Sequence, residues 1–507
     1  MAGFNETLQW KFGLIAADNK YLTVEKFGFK VNASATTMKS NQIWTMEGPV
    51  SGPSGHESEE DWIYLRSAFD RYLGVDKDGN VTGDSEEKSN TTKFRFMPQG
   101  DGQLALMAHN GFFFGGTGDH LSAKSHGPGA SALAPTDKWT VHLAMHPQIN
   151  LRNVRRNTYL HLTKDGAGAN VNEEIPWGQD SMITFEFDSA TGKYALRMCN
   201  NKYLCEDGSL SGERVAKALY TLVFSGTALS FRGEGGKYLA GVAAGRAECR
   251  QPKITKDELW LLEDSHPQVN LFNVAREESG RSAVSIRAST EVKANQEDVT
   301  DHEIFQMEIN RETNKWSFRG NNKKYFSVSG TAVSCTATSK GDSEYFDVEW
   351  YGPQIALKAC NDKYVMAKPN GQLVANGSDG SAPEARFIFD LINRPILVLR
   401  FPFGFVGIKG ESKRLECNRS SYEVFVMTHE KGTYHLKSAA GQWWKQDSDG
   451  YFTVNGDSPM DFHLELLRHT HFAVRVPAAG NNYLKGEKNG TFKATGTAVD
   501  SSTLWEY

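Results

Sequence analysis

The chain has no long apolar run and no regular cysteine framework. None of its segments approaches the roughly eighteen apolar residues of a membrane-spanning helix, and its first residues do not join a basic segment to an apolar one, as a secretory signal does. Six cysteines are spread over 507 residues without a Cys-x-x-Cys pair, whereas a disulfide scaffold is denser and more regular. We therefore expect reduced thiols, a cytoplasmic location and no membrane insertion.

An excess of positive charge is also missing. The 56 Lys and Arg residues are outnumbered by 61 Asp and Glu residues, which gives a net charge of -5. No overall basic field therefore attracts nucleic acid, and we expect no nucleic-acid partner.

The motifs of common catalytic sites are absent as well. The chain contains no Gly-x-x-x-x-Gly-Lys-Ser/Thr loop, no Gly-x-Ser-x-Gly elbow and no His-Glu-x-x-His motif. The segment Asp76–Asn80 resembles the start of a calcium loop, but Val81 stands where the sharp turn needs glycine, which favours a plain hairpin turn. We expect neither an enzyme nor a bound metal or cofactor.

The chain lacks helical periodicity and shows the pattern of short strands. No window of fifteen residues shows a sustained 3.6-residue apolar repeat, while 48 glycines and 16 prolines separate short segments rich in Val, Phe, Tyr, Trp and Thr. Ile183–Phe187 and Lys315–Arg319 alternate apolar and polar residues, as half-buried strands do. This composition predicts an all-β protein built as sandwiches or barrels.

A short motif, Lys/Arg-Tyr-Leu, recurs along the chain. Internal repetition at a period of a few tens of residues indicates a repeat architecture. The clear copies and their drifted relatives are Lys20-Tyr21-Leu22, Arg71-Tyr72-Leu73, Lys202-Tyr203-Leu204, Lys237-Tyr238-Leu239, Lys324-Tyr325-Phe326, Lys363-Tyr364-Val365 and Asn482-Tyr483-Leu484.

A longer period divides the chain into four domains. His146-Pro147-Gln148 returns as His266-Pro267-Gln268, and a third relative is Asn393-Arg394-Pro395. The predicted domains are 1–145, 146–265, 266–393 and 394–507. Three repeats of about forty residues in each domain predict four tandem β-trefoils, whose short linkers would hold them as a compact rigid body. Four Greek-key sandwiches are the alternative.

One tryptophan motif suggests a sugar site. Many trefoil lectins carry Gln-x-Trp in each repeat, and Gln42-Ile43-Trp44 has this form. Gln442-Trp443-Trp444 has it too, but at a different place in its repeat. We interpret Trp44 as a core residue and keep a lectin or ligand-binding module as an alternative function.

Longer segments carry a likeness to a known family. They start in Phe12–Ile15, Asn19–Thr23, Phe27–Ala35 and Gln42–Thr45 and continue to Leu504–Tyr507. In these segments the chain resembles the fascins, a family of actin-bundling proteins. The resemblance implies four β-trefoils and a cytoplasmic monomer that cross-links filamentous actin into tight parallel bundles, such as those of filopodia and other cell protrusions. Cross-linking by a monomer needs at least two separated surfaces, and basic patches suit an acidic filament.

The resemblance also implies the residues of both surfaces. The expected actin-binding residues in the cleft between the first and last domains are Lys20, Lys39, Lys368, Lys409, Lys485, Glu487 and Lys488. The expected residues of the second surface are Arg250, Lys253, Lys256, Lys358 and Lys363.

A regulatory kinase is a further partner implied by the resemblance. Thr37, with Thr36 beside it, stands where fascins carry a phosphorylatable serine, and a phosphate there would repel an acidic filament. The chain departs from the family pattern at Pro402, Phe403 and Gly410. These departures leave open a protein that binds single filaments without cross-linking them.

Overall fold

Short antiparallel strands make up most of the protein. The structure is a computed structural model that describes residues 9–48, 62–127, 133–242, 245–280, 282–287, 290–468 and 470–507. The strands form four sheets in sequence order, the first three of 12 strands and the last of 13. In the described residues no helix has the length and apolarity needed to cross a membrane.

The first two sheets contain β1 to β24. Strands β1 to β12 are Lys11–Ile15, Tyr21–Val24, Val31–Ala35, Trp44–Glu47, Trp62–Ser67, Tyr72–Val75, Val81–Ser85, Lys93–Pro98, Gln103–Ala108, Phe113–Thr117, His120–Ser122 and Lys138–Leu143. Strands β13 to β24 are Gln148–Asn153, Tyr159–Leu162, Ala169–Glu173, Ile183–Asp188, Lys193–Met198, Tyr203–Leu204, Leu210–Ser211, Leu219–Ser225, Ala228–Arg232, Tyr238–Gly241, Ala247–Gln251 and Trp260–Asp264.

The last two sheets contain β25 to β49. Strands β25 to β36 are Gln268–Asn273, Ala283–Ser285, Lys293–Gln296, Phe305–Ile309, Trp316–Arg319, Tyr325–Ser329, Ala332–Ala337, Asp347–Tyr351, Gln354–Lys358, Tyr364–Ala367, Leu373–Gly377 and Arg386–Leu391. Strands β37 to β49 are Ile396–Leu397, Arg400–Phe401, Gly404–Lys409, Arg414–Arg419, Phe425–Glu430, Thr433–Ser438, Trp443–Gln446, Phe452–Gly456, His463–Arg468, His471–Val476, Asn482–Gly486, Phe492–Gly496 and Leu504–Glu506.

Short 3-10 helices lie between some of the strands. They are Ser40–Gln42, Asn90–Thr92, Pro135–Asp137, Ala216–Ala218, Lys256–Glu258, Val274–Ser279, Asp301–Glu303, Asp342–Glu344, Pro383–Ala385, Gly410–Ser412 and Pro477–Ala479.

The strand pairings close each sheet into a β-trefoil. In the second sheet β13, β16, β17, β20, β21 and β24 pair in a ring that returns from β24 to β13. The other six strands form three hairpins, β14–β15, β18–β19 and β22–β23. The first sheet closes in the same way through β1 and β12, the third through β25 and β36, and the fourth through β38 and β49. The predicted fold class, all-β with four tandem β-trefoils, is confirmed.

The Tyr-Leu step is the point where each hairpin leaves its barrel. In most copies the tyrosine pairs with a strand residue six positions earlier, as in Arg197 with Tyr203 and Arg319 with Tyr325. In many hairpins a β-bulge follows the tyrosine directly, for example between Tyr21 and Leu22. A bulge bends the strand, so the following apolar side chain turns into the core while the hairpin continues outwards.

Four tryptophans anchor the barrels to these hairpins. Trp44 is fully buried and donates its Nε1–H to Leu22 O at 3.2 Å, which confirms its interpretation as a core residue. The corresponding bonds run from Trp139 to Phe114 O, from Trp260 to Leu239 O and from Trp505 to Leu484 O, at 3.0, 3.0 and 3.2 Å. All six cysteines are described, and all are free thiols.

The chain folds as two units with two barrels in each. The first unit is Met1–Pro176 with Ile183–Asp264, and the second is Trp177–Met182 with Ser265–Tyr507. Each unit has one large apolar core that runs through both of its barrels. The expectation that all four domains form one rigid body stays a prediction.

A buried tyrosine joins the two barrels inside each unit. The Tyr194 hydroxyl donates to Val141 O and accepts from Leu143 N, both at 2.8 Å. In the second unit the Tyr434 hydroxyl donates to Phe389 O at 3.1 Å and accepts from Leu391 N at 3.0 Å. Burial raises the pKa of both hydroxyls, which therefore stay protonated donors.

Candidate functional site

The three hairpins of the fourth β-trefoil meet in one cap. Cys417 N in β40 donates to Gly490 O in the β47–β48 turn at 2.8 Å, and Arg414 pairs with Thr453 of β44. The contact at Gly490 is close, because a Cβ built there would lie 2.4 Å from Asn418 Oδ1. The hairpins β39–β40, β43–β44 and β47–β48 thus act as one surface.

Four of the predicted cleft residues lie on this cap. Lys409 ends β39, Lys485 lies in β47, and Glu487 and Lys488 lie in the turn that follows; all four are exposed. Lys409 Nζ is 2.8 Å from Glu416 Oε1. Burial alone would raise the pKa of Glu416, but the ion pairs with Lys409 and Arg419 lower it, so Glu416 stays charged and holds Lys409 in place.

The structure adds cations that are not among the predicted cleft residues. The Tyr451 ring lies between two of them, with Arg414 Cζ 3.9 Å and Lys493 Nζ 3.8 Å from its centroid. Lys493 also pairs across the hairpin with Lys485 and donates to Asp449 O at 2.7 Å. Lys413 Nζ donates to Gln442 Oε1 at 2.9 Å.

We call this group the basic cap; its members are Lys409, Lys413, Arg414, Lys485, Lys488 and Lys493. The segments 404–419, 443–456 and 482–496 carry eight Lys and Arg residues and five Asp and Glu residues. The cap is therefore positive on a chain of net charge -5. Such a patch attracts an acidic partner over a Debye length of about 8 Å at physiological ionic strength.

The first unit holds Lys20 and Lys39 of the predicted cleft, together with the predicted phosphorylation site. Tyr21 pairs with Ala35, so Lys20 and Thr36 lie at the same end of the β2–β3 hairpin. Thr36, Thr37 and Lys39 are exposed. The backbone after Thr37 is fixed, because Lys39 N donates to Oε1 of the buried Gln42 at 2.9 Å.

The remaining predicted residues are spread over both units. Lys368 is exposed in the turn between β34 and β35. In the second-surface set Arg250, Lys253 and Lys256 are exposed in the first unit, while Lys358 and Lys363 belong to the second unit. Lys358 Nζ is 3.2 Å from Asp362 Oδ1, so its charge is partly balanced.

The departures from the family pattern lie beside the basic cap. Phe403 is 37% exposed and its ring lies 5.5 Å from that of Phe401. Gly410 has a φ of 40°, a left-handed conformation that favours glycine over lysine. Lys413, at the end of the same turn, supplies a cation close to this position.

The chain is similar to known proteins along its whole length. The family model described as "Fascin domain" matches residues 18–136, 149–262, 279–389 and 403–507. Fascin-2 of Bos taurus is 38% identical over 510 residues, which cover 100% of this chain and 99% of the relative. Fascin-2 of Homo sapiens is 39% identical over 511 residues with the same coverage. Fascin of Strongylocentrotus purpuratus is 33% identical over 520 residues, 99% of each chain. The chain therefore belongs to the fascin family.

Proposed function

We propose that this protein binds filamentous actin and cross-links filaments into tight parallel bundles, without catalysing a reaction. The basic cap carries the proposal, because three hairpins of one domain collect positive charge on a chain that is acidic overall. Membership of the fascin family supports the same function. Actin filaments are acidic, so the cap and the filament are electrostatically complementary.

A monomer that bundles filaments needs a second surface. The first surface would combine the basic cap with Lys20, Lys39, Lys368 and Glu487. The second would include Arg250, Lys253, Lys256, Lys358 and Lys363. The proposed domains that carry them are 1–145, 146–265, 266–393 and 394–507, in the cytoplasm and in the actin bundles of cell protrusions. A kinase that phosphorylates Thr37 or Thr36 would inhibit binding at the first surface.

Sedimentation with purified actin filaments tests the proposal. Bundles pellet at low speed and single filaments only at high speed, so the wild-type protein should bring actin into the low-speed pellet at substoichiometric amounts. Lys485→Glu with Lys493→Glu should raise the half-maximal bundling concentration by about tenfold or more, since like charges then face each other. Lys164→Glu with Lys202→Glu, on exposed turns of the first unit, is the matched control and should bundle normally.

Two other outcomes would contradict bundling. Protein that co-sediments with filaments only at high speed would be a single-filament binder, the alternative raised by Pro402, Phe403 and Gly410. Protein in neither pellet would remove actin as the partner. Unchanged bundling by the Lys485→Glu, Lys493→Glu variant would remove the basic cap from the mechanism.

A further inference from the structure

Five cations of the fourth domain lie in two rows across its hairpins, and the first row crosses four strands. Lys409 in β39 pairs with Arg414 in β40, and Arg414 pairs with Thr453 in β44. Lys445 in β43 pairs with the same Thr453. Residues directly opposite each other in antiparallel strands carry their side chains on the same face. The row therefore presents three cations around one threonine.

The second row runs beside the first. Lys485 in β47 pairs with Lys493 in β48, and Lys493 forms a bridge with Tyr451. Tyr451 lies two residues before Thr453, and alternate residues of a strand face the same side at about 7 Å from each other. The Tyr451 ring also links the rows, because Arg414 Cζ and Lys493 Nζ lie 3.9 and 3.8 Å from its centroid. Both rows thus belong to one face.

This face points to solvent. Leu415 and Phe452 are chain neighbours of row residues and are each 1% exposed, so the opposite face belongs to the core. Lys409, Lys445 and Lys485 are exposed. We call the five cations the cationic strip; its members are Lys409, Arg414, Lys445, Lys485 and Lys493.

Little of the charge of the cationic strip is balanced by carboxylates. Lys409 Nζ is 2.8 Å from Glu416 Oε1. The other four cations form no ion pair within the part of the chain that the structure describes. Lys485 interacts with Asp500 only at longer range. The strip therefore carries more positive charge than its own neighbours neutralise.

The turn next to the strip orients one of its cations without cancelling the charge. Asp447 accepts from the backbone N–H groups of Asp449 and Tyr451 at 3.0 and 2.8 Å. Lys493 donates to the carbonyl oxygen of Asp449 at 2.7 Å. The ammonium group of Lys493 is thus held by a neutral acceptor and keeps its charge for a ligand.

The spacing of these charges suits phosphate. Like charges directly opposite each other on neighbouring strands are destabilising, and Lys409 with Arg414 and Lys485 with Lys493 are two such pairs. A phosphate group carries a charge of about -1.5 to -2 and three acceptor oxygens, so one group can bind both members of a pair. A guanidinium such as that of Arg414 can bind it through two parallel hydrogen bonds. Two pairs on one face therefore favour a ligand with two or more neighbouring phosphates.

We propose that the cationic strip binds a polyphosphate group, carried either by a soluble molecule or by a lipid headgroup. One phosphate would lie between Lys409 and Arg414 and another between Lys485 and Lys493. Lys445, which belongs neither to the basic cap nor to the predicted cleft, would extend the site at the end of the first row.

A bound polyphosphate would regulate the proposed actin surface. Four members of the cationic strip also belong to the basic cap, so the ligand and an acidic filament would compete for the same cations. This consequence rests on the proposed function, whereas binding of the polyphosphate does not.

Isothermal titration calorimetry of the full chain with sodium tripolyphosphate tests the site without actin. At physiological ionic strength tripolyphosphate should bind saturably, one per chain. Orthophosphate should bind about tenfold more weakly or less, because it reaches only one pair of cations. Arg414→Gln with Lys493→Gln should weaken tripolyphosphate binding by about tenfold or more, and Lys445→Gln by about threefold. Lys164→Gln with Lys202→Gln, on exposed turns of the first unit, is the matched control and should bind as the wild type does.

Vesicles distinguish the two sources of phosphate. Co-sedimentation compares phosphatidylcholine vesicles that contain phosphatidylinositol 4,5-bisphosphate with vesicles that contain phosphatidylserine at equal total charge. Tripolyphosphate binding with a preference for the phosphoinositide vesicles supports the site and assigns a lipid headgroup. Tripolyphosphate binding without vesicle binding supports the site and assigns a soluble ligand. Equal binding to both kinds of vesicle without tripolyphosphate binding would overturn the proposal in favour of a general attraction to acidic membranes.

Three results of the calorimetry would also overturn it. These are no saturable binding at millimolar tripolyphosphate, equal affinity for orthophosphate, and equal affinity of the Arg414→Gln, Lys493→Gln variant and the control.

Low-speed sedimentation with actin separates this proposal from the proposed function. Saturating tripolyphosphate should reduce bundling more than sodium chloride does at matched ionic strength and free Mg²⁺, and unchanged bundling would overturn the competition. Protein that binds tripolyphosphate but does not bundle actin would contradict the proposed function alone. Protein that bundles actin but does not bind tripolyphosphate would contradict the polyphosphate site alone.

Discussion

The tyrosine and the leucine of the Lys/Arg-Tyr-Leu motif have different surroundings. The leucine enters the core, and the tyrosine hydroxyl binds a carboxylate on the barrel: Tyr203 donates to Glu186 Oε2 at 2.9 Å and Tyr483 to Glu465 Oε2 at 2.7 Å. Arg197 pairs with the same Glu186. The glutamate stands 17 or 18 residues before its tyrosine, so the motif by itself does not reveal it.

His142 makes the stability of the first unit depend on pH. It stacks on Phe187 at 4.0 Å and lies 2.9 Å from the Tyr21 hydroxyl. Burial lowers its pKa to about 3, whereas an unfolded histidine titrates near 6.5. The unfolded state therefore binds the additional proton between these values, and stability is lost as the pH falls below about 6.5.

We expect His142→Phe to remove this part of the pH dependence. Between pH 6 and 4, the free energy of unfolding of the variant should fall less steeply on acidification than that of the wild type. The two slopes should differ by about 1.4 kcal/mol per pH unit. Urea unfolding followed at pH 7, 6, 5 and 4 measures the difference. The two proteins differ only at position 142, so parallel curves would contradict the assignment.

At the scale of the hairpins, one close contact assembles the basic cap. Gly490 has a φ of +93°, and a Cβ there would lie 2.4 Å from Asn418 Oδ1. Gly441 has a φ of +85° with nothing within 4 Å of an added Cβ. The two glycines share the backbone strain of a substitution but differ in whether the Asn418 side chain has to move.

We expect Gly490→Ala to disturb the cap and Gly441→Ala to leave it intact. Both should lose about 1 kcal/mol of stability from the left-handed backbone, and Gly490→Ala in addition displaces the side chain of Asn418 in β40. Thermal unfolding measures the stability of each variant, and low-speed sedimentation with actin measures whether its cap still supports bundling. Equal loss of stability and bundling in both variants would show that the contact at Gly490 has no role.

At the scale of the whole molecule, Tyr194 and Tyr434 join barrels into units. Removing either hydroxyl leaves one buried backbone N–H without its acceptor, at Leu143 or at Leu391. We expect Tyr194→Phe and Tyr434→Phe each to cost about 1 to 3 kcal/mol. Hydrogen exchange should accelerate at Leu143 in the first variant and at Leu391 in the second. Each variant serves as the control for the other. Unchanged exchange at the Leu143 and Leu391 amides would show that the tyrosine hydroxyls do not join the barrels.

Control of bundling by phosphorylation is also a property of the whole molecule. Thr37 is exposed two residues before Lys39, so negative charge there would oppose an acidic filament. We expect Thr37→Asp to raise the half-maximal bundling concentration by up to about fivefold, the effect of one exposed charge pair. Thr37→Ala should bundle as the wild type does. Equal behaviour in low-speed sedimentation would remove Thr37 from the regulation.

Strand periodicity, turn residues and internal repeats are local, and they determined the all-β class, the four β-trefoils and the core position of Trp44 from the sequence alone. The long collinear resemblance determined the family in the same way. Contacts between distant hairpins are not local. The pairing of Arg414 and Lys493 around Tyr451 and the bonds of Tyr194 were decided by the tertiary structure. The physical reason is barrel closure, which brings together hairpins that are separated by tens of residues along the chain.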